Sequence, residues 1–204
     1  MIVVITANSQ SCPDSNHPHA IDLGLPSETK WACCNIGAKK PEEAGHYYAW
    51  GETKEKEVYS WKNYSDSRDG TKYGIYCFTH HLNWGNMVNN VAHVRWGGKW
   101  QMPTPEQFKE LINNCDSKWT SIKGVNGRLF TGKNGANIFF PAAGQRNVFT
   151  LNTYGNYGYY WSETEYEAND GYKAYYFHFY NGQASTSSGD LSIGRSVRAI
   201  INNK

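Results

Sequence analysis

Apolar residues recur at helical spacing in two places and at alternating spacing through most of the rest of the chain. Phe108, Leu111, Ile112 and Cys115 fall at i, i+3, i+4 and i+7, one buried stripe at the helical period. Thr104 at the N-cap, Pro105 at the first helical position and Gln107 at the third make a capping-box pattern, which predicts a helix of about 12 residues. Residues 87–95 predict a second helix, with Met87, Val88, Val91 and Ala92 on one side and Gly97-Gly98 as its stop. Residues 20–23 and 29–33 read as a hairpin around a turn at 24–27, and residues 41–44 as a short helical turn. Residues 128–131 and 137–140 flank Gly132-Lys133-Asn134-Gly135 as a second hairpin. Residues 173–180 form a strand that ends at Asn181-Gly182, a dipeptide suited to a type I′ turn. Parity in that strand sends Tyr175, Phe177 and Phe179 to one face and Tyr176, His178 and Tyr180 to the other. The last strand, 196–201, is apolar enough to lie inside a sheet. Residues 52–81 are polar with no sustained period, a long excursion over the surface. Few helices, many strands and long loops make an α+β fold, two helices packed on antiparallel sheets.

The length of 204 residues suits a single domain. It is read as 19–204, preceded by a flexible arm at 1–18, whose polar stretch carries Pro13 and Pro18. Twenty basic against 18 acidic residues exclude a strong basic field for nucleic acid and a charge-driven disordered chain. No stretch nears the roughly 20 apolar residues of a membrane-spanning helix, so no direct membrane insertion is expected. The start of the chain lacks the basic opening and apolar core of a secretory signal. Five cysteines, Cys12, Cys33, Cys34, Cys77 and Cys115, are an odd count with an adjacent pair and read as reduced thiols made in a cytosol. With 8 Trp, 15 Tyr, 8 Phe and 20 Gly against a mean hydropathy of -0.69, the core is expected to be aromatic and the surface rich in turns.

Candidate chemistry is sparse. Cys77, His80, His81 and His93 have the residue types of a metal site but read more simply as surface or packing residues. Glu163 and Glu165 share a strand face and read as solvated residues rather than an acid/base pair. No catalytic residue, metal or cofactor is assigned, and the chain is read as non-enzymatic. What stands out is residues 145–190, 46 positions that hold 9 of the 15 Tyr amid Asn, Ser, Thr and Gly, with only Arg146 and Lys173 as cations. Tyrosine offers large amphipathic area at low entropic cost and the small polar residues adaptable hydrogen bonds, which is the chemistry of paratopes. The expected contact residues are Asn147, Phe149, Asn152, Tyr154, Asn156, Tyr157, Glu163 and Glu165. Tyr166, Asn169, Tyr172, Tyr176, His178, Tyr180 and Ser185 complete the set. Trp31, Trp50, Trp96, Trp100 and Trp161 are assigned to the scaffold.

A series of blocks carries a family resemblance. Residues 21–27 (Ile-Asp-Leu-Gly-Leu-Pro-Ser), Lys30-Trp31-Ala32, Asn35-Ile36-Gly37-Ala38, Pro41-Glu42-Glu43 and Tyr47-Tyr48-Ala49-Trp50-Gly51-Glu52 come first. Residues 96–104, Phe140-Pro141-Ala142-Ala143-Gly144, Gly158-Tyr159-Tyr160-Trp161-Ser162 and Gly194-Arg195-Ser196-Val197-Arg198 follow. Together, over about residues 19–201, the chain resembles the Fibrobacter succinogenes major paralogous domain family common in Bacteroidetes. The resemblance implies a C-type-lectin-like fold whose ends meet as neighbouring strands, with Trp-rich motifs beneath a loop-built binding face. It is also similar to the variable proteins of diversity-generating retroelements, in which adenine-directed mutagenesis diversifies C-terminal codons. That similarity implies a display protein, phage-encoded or bacterial, whose 145–190 region contacts a protein or glycan ligand on a cell surface. A glycan-binding or adhesive domain of fixed specificity is the alternative. The Glu-Pro-Asn, Gln-Pro-Asp and Trp-Asn-Asp motifs of calcium-dependent lectins do not occur, and no cysteine follows Cys115 to serve the fold's oxidase chemistry. Placement on a cell surface or virion is expected.

Overall fold

The computed structural model describes residues 19–65, 67, 69–72, 89–166 and 171–202. The arm at 1–18 and Cys77, Asn169, His80 and His81 lie outside the described residues.

β1 (Ala20–Asp22) and β2 (Lys30–Ala32) form the first hairpin, with Ile21 opposite Trp31. β12 (Ile200–Ile201) inserts between β2 and β3 (Trp100–Gln101), so both ends of the described chain lie in one four-stranded antiparallel sheet. β12 is shorter than the expected strand at 196–201. Residues 196–199 instead give single hydrogen bonds to several segments: Ser196 O accepts from Trp161 N–H, Val197 O from Ile36 N–H, and Ala199 O from Ala32 N–H.

α1 (Val91–Trp96) is a short helix capped by Asn90, whose side chain accepts from His93 N–H at 3.3 Å. It starts later than the periodicity suggests, at Asn90, whose extended backbone and side-chain cap open the helix; Met87 and Val88 lie outside the described residues. α2 (Pro105–Asn114) has the expected capping box: Thr104 Oγ1 accepts from Gln107 N–H at 3.2 Å and Gln107 Oε1 from Thr104 N–H at 2.8 Å. Its Phe108 and Leu111 are fully buried. Residues 41–44 make a turn and not a helix, with Glu43 N–H bonded to Lys40 O, and Gly45 at φ 67° takes the chain out of the helical region.

β4 (Asp116–Ile122), β5 (Val125–Thr131) and β6 (Asn137–Pro141) form a meander. Lys123 and Gly124, both at positive φ, make the tight turn between the first two. At the second turn a Cβ on Gly132 would lie 2.0 Å from Leu23 O, so only glycine lets this hairpin seat against the N-terminal strand. β7 (Gln145–Asn147) and β8 (Thr150–Asn152) form a small protruding hairpin. β9 (Gly158–Glu165), β10 (Lys173–Phe179) and β11 (Ala184–Asp190) form a three-stranded antiparallel sheet with β10 in the centre.

One face of this last sheet closes the first core. Phe177 stacks on Phe108 at 4.8 Å and lies against Phe130, Phe140 and Phe179, while Trp31 packs on Phe108 and Phe140. A second core gathers Tyr47, Tyr48, Trp50, Tyr59, Tyr64, Trp100 and Trp161 under the irregular segment that follows β2. It tolerates tyrosines because their hydroxyls are paired with backbone carbonyls: Tyr47 with Ala143, Tyr59 with Tyr47 and Tyr64 with Trp50. Of the tryptophans assigned to the scaffold, Trp31, Trp50, Trp100 and Trp161 are buried and Trp96 is half-buried edge-on to Trp100. The architecture is α+β, mostly antiparallel. Among the described residues no helix is long and apolar enough to cross a membrane.

Candidate functional site

The outer face of the β9–β11 sheet is built by parity. In β10, Phe177 and Phe179 turn into the core, and this sends Tyr176 and His178 to the other side. In β9, Tyr160 is buried opposite Phe177, so Tyr159 comes out opposite His178. Tyr175 keeps the parity of Phe177 but is half-buried, edge-on to Tyr166 at 5.2 Å. β10 pairs with β11 without a break, and the extra residues of the irregularity beside Ala174 and Tyr176 lie in β9; Ala174, of the opposite parity, is buried in the second core.

The outward side chains touch one another in a continuous aromatic row. Tyr157 lies 5.9 Å from Tyr159 and 5.3 Å from Tyr180. Tyr159 is 5.9 Å from Tyr176 and 6.3 Å from His178, and Tyr176 is 5.7 Å from His178. His178 Nε2 shares a 2.8 Å hydrogen bond with Ser185 Oγ across the β10–β11 ladder. Burial and the charge of Arg195 lower the His178 pKa below the ordinary histidine value, which keeps the ring neutral at pH 7. Arg128 anchors the far end by donating to Tyr180 O at 3.0 Å and Asn181 O at 3.3 Å.

Arg195 lies at the inner rim of this row. Only 4% exposed, its guanidinium carbon sits 3.8 Å from the Tyr176 ring and 4.0 Å from the Trp161 ring. Its Nε donates to Gln145 Oε1 at 3.0 Å. Burial pulls its pKa down to about 10, so it remains charged at neutral pH. A Cβ on Gly189 of β11 would fall 2.7 Å from Arg195 Nη2; the guanidinium occupies the space of the missing side chain.

The structure sorts the expected contact residues into three groups. Tyr157, Tyr176, His178, Tyr180 and Ser185 share the sheet face. Asn147, Phe149, Asn152 and Tyr154 belong to the β7–β8 hairpin and its exit, where Phe149 is 73% exposed; Asn156 is exposed between hairpin and sheet, and Asn152 is half-buried. This hairpin is held by paired backbone bonds between Val148 and Tyr59 and between Arg146 and Gly194. Glu163, Glu165, Tyr166 and Tyr172 lie at the opposite end of the sheet, all half-buried. The Glu163 carboxylate accepts from Asn90 Nδ2 at 3.3 Å, and burial pushes its pKa up to about 7. Lys72 and Lys173 approach the Tyr172 ring at 4.9 and 5.4 Å.

Tyr159, Gln145 and Arg195 belong to the site but are missing from the expected set. The alternation of Tyr157, Tyr159 and Trp161 is a signal for Tyr159. Arg195 stands in the Gly194–Arg198 block that carries the family resemblance, five residues after β11, but nothing in the sequence places its side chain against Tyr176 and Trp161. Among the described residues no three His, Cys, Asp or Glu side chains converge to hold a metal ion. Comparison with family models, with curated proteins and with solved structures finds no match for this chain.

Proposed function

We propose that this chain is a non-enzymatic binding protein of C-type-lectin-like fold, and that its contact surface is the outer face of the β9–β11 sheet together with the β7–β8 hairpin. The observation that carries the reading is the continuous row of Tyr157, Tyr159, Tyr176, His178 and Tyr180 on a sheet whose other face is locked into the core. A rigid sheet that presents amphipathic rings spends little ordering entropy on binding. The first and last strands share one sheet, separated by β2 where the resemblance implies direct neighbours, and this shared sheet and the family-motif tryptophans in the cores support the fold assignment. The resemblance to diversified display proteins supports a surface that varies between copies, carried on a cell surface or virion and directed at a protein or glycan ligand.

The test is to sequence many copies of the gene from one host population. Changes should cluster at adenine-containing codons within 145–190 and follow the sheet's parity: Tyr157, Tyr176, His178 and Tyr180 vary while Tyr160, Phe177 and Phe179 do not. An invariant window eliminates diversification and leaves a domain of fixed specificity. Changes that fall equally on both faces would refute the assignment of the contact surface.

A further inference from the structure

Two buried arginines near the C-terminus are treated very differently by the fold. Arg198 is satisfied at all three nitrogen positions: Nε donates to Asn35 Oδ1, Nη1 to Ala32 O and Nη2 to Phe139 O. Among the described residues Arg195 makes a side-chain hydrogen bond only from Nε, and its buried Nη1 has no partner. Among the described residues no carboxylate lies within ion-pair distance of it, and Asp190 acts on it only at longer range. Two aromatic faces stabilise the cation but do not satisfy its N–H groups. Burying an uncompensated guanidinium is costly, and this one lies against Tyr176 and 5.9 Å from the Tyr159 ring, at the edge of the contact face.

Resting on the reading of this face as a contact surface, we infer that its ligand is a singly charged acidic saccharide. The sugar carboxylate is drawn to the Arg195 side of the Tyr159–Tyr176 pair, and its hydroxyls meet the phenol and serine hydroxyls of Tyr157, Tyr180 and Ser185. The charge count selects this class over polyanions. Arg195 is the cation beside the Tyr159–Tyr176 pair, and Arg128 at the other end of the row is committed to Ser117 Oγ and to the Tyr180 and Asn181 carbonyls. The two cations of the 145–190 window are placed elsewhere, Arg146 over the Tyr47 ring and Lys173 over the Tyr172 ring. An acidic peptide or a sulfated polymer would need a row of exposed cations to neutralise it.

The experiment measures binding of the full chain to matched saccharides: sialyllactose, its methyl ester and lactose, and a glucuronic-acid-terminated glycan beside its glucose counterpart. Polyglutamate and heparin serve as polyanion controls. The acid forms should bind about threefold to tenfold more tightly than their neutral partners, the size of the Coulomb attraction between single charges about 6 Å apart at a water-exposed protein surface. Arg195→Gln should abolish that preference; Tyr157→Ser and Tyr180→Ser should weaken acid and ester alike and leave the ratio intact. Because acid and ester are compared on the natural protein, the test stands even if Arg195→Gln does not fold. Equal binding of acid and ester, binding of the polyanions alone, or no binding to any saccharide would overturn the inference. If a neutral glycan or a protein binds and the tyrosine variants lose it, the inference about charge fails while the contact surface stands. If those variants alter no binding at all, both fail.

Discussion

Replacing Arg198 by methionine separates its structural task from the role assigned to Arg195. Arg198 is fully buried and ties together three parts of the chain, the end of β2, Asn35 and β6, through hydrogen bonds of 3.0, 2.8 and 2.9 Å respectively, with Phe140 4.6 Å beneath its guanidinium carbon. Three hydrogen bonds from a charged donor are worth roughly 1.5–3 kcal/mol each. Methionine fills similar space and removes the cost of burying a charge, but leaves Asn35 Oδ1 and two carbonyls unpaired, so the net loss should be about 3–5 kcal/mol. With a urea m-value of about 2–3 kcal/mol/M, the unfolding midpoint should fall by about 1–2 M. Arg198→Lys should recover only part of this, because an ammonium cannot span three acceptors set around a planar fork. Equilibrium urea unfolding followed by tryptophan fluorescence reads the midpoint directly. A shift below about 0.3 M, or an increase, would mean that desolvation cancels the hydrogen bonds and that Arg198 is not the lock described.

Other substitutions probe the elements that hold the contact face. Phe177→Ala opens a void beside Phe108, Phe130 and Phe140 and should cost about 3–5 kcal/mol by chemical denaturation; a loss under about 1 kcal/mol would show that this ring does not anchor β10. Val148 is a β-branched residue at φ 53°, so Val148→Gly should release about 1 kcal/mol of backbone strain and raise the melting temperature by about 2–4 °C. A lower melting temperature would show that the Val148 side chain stabilises more than its backbone costs. Glu163 has a folded-state pKa of about 7 against an unfolded value near 4.5, so the folded state binds the extra proton. Its contribution is full below the unfolded value and is lost as pH rises through about 7. Glu163→Gln should therefore be more stable than the natural protein at pH 8, by about 1–3 kcal/mol, and near equal to it at pH 4. The same pH dependence in both proteins would remove Glu163 as its source.

Local chemistry made α2 legible in advance: a capping box needs only Thr104, Pro105 and Gln107, which act on their own turn. The hairpin around Gly132-Lys133-Asn134-Gly135 was legible for the same reason, since a tight turn sets the register of the strands beside it; the hairpin at Asn181-Gly182 forms as well, but neither residue takes the positive φ of the type I′ turn expected there. β4 was not, because Asp-Ser-Lys-Trp-Thr-Ser-Ile has no clean alternation and is ordered by pairing along its whole length with β5. Nor was the extent of β12, whose preceding residues are bonded one by one to segments far away in sequence. Tyr175 shows what parity leaves open: it shares the face of Phe177 but lies beyond the first core, so parity gives its side and not its burial. At the site, parity located Tyr176, His178 and Tyr180. Arg195 stayed hidden because its position depends on Gly189 leaving room and on Trp161 and Tyr176 closing around it.

The two faces of β10 allow binding and stability to be altered separately over most of the sheet. Phe177 and Phe179 carry the packing, so Tyr180 and Ser185 can change at little cost to the fold, and variation there acts on recognition alone. The separation fails where the outer face passes into the second core. Trp161 has the same parity as Tyr159 yet is fully buried, and its ring and Tyr176 enclose the guanidinium of Arg195. Tyr176 therefore belongs to the proposed contact face on one side and covers a buried charge on the other. Its replacement by a small residue exposes Arg195 to water, which relieves part of the cation's desolvation and dissipates the field offered to a ligand. A change at Tyr176 should thus alter affinity and stability together, whereas a change at Tyr180 alters affinity alone. That difference follows from the position of one arginine and not from the chemistry of the two tyrosines.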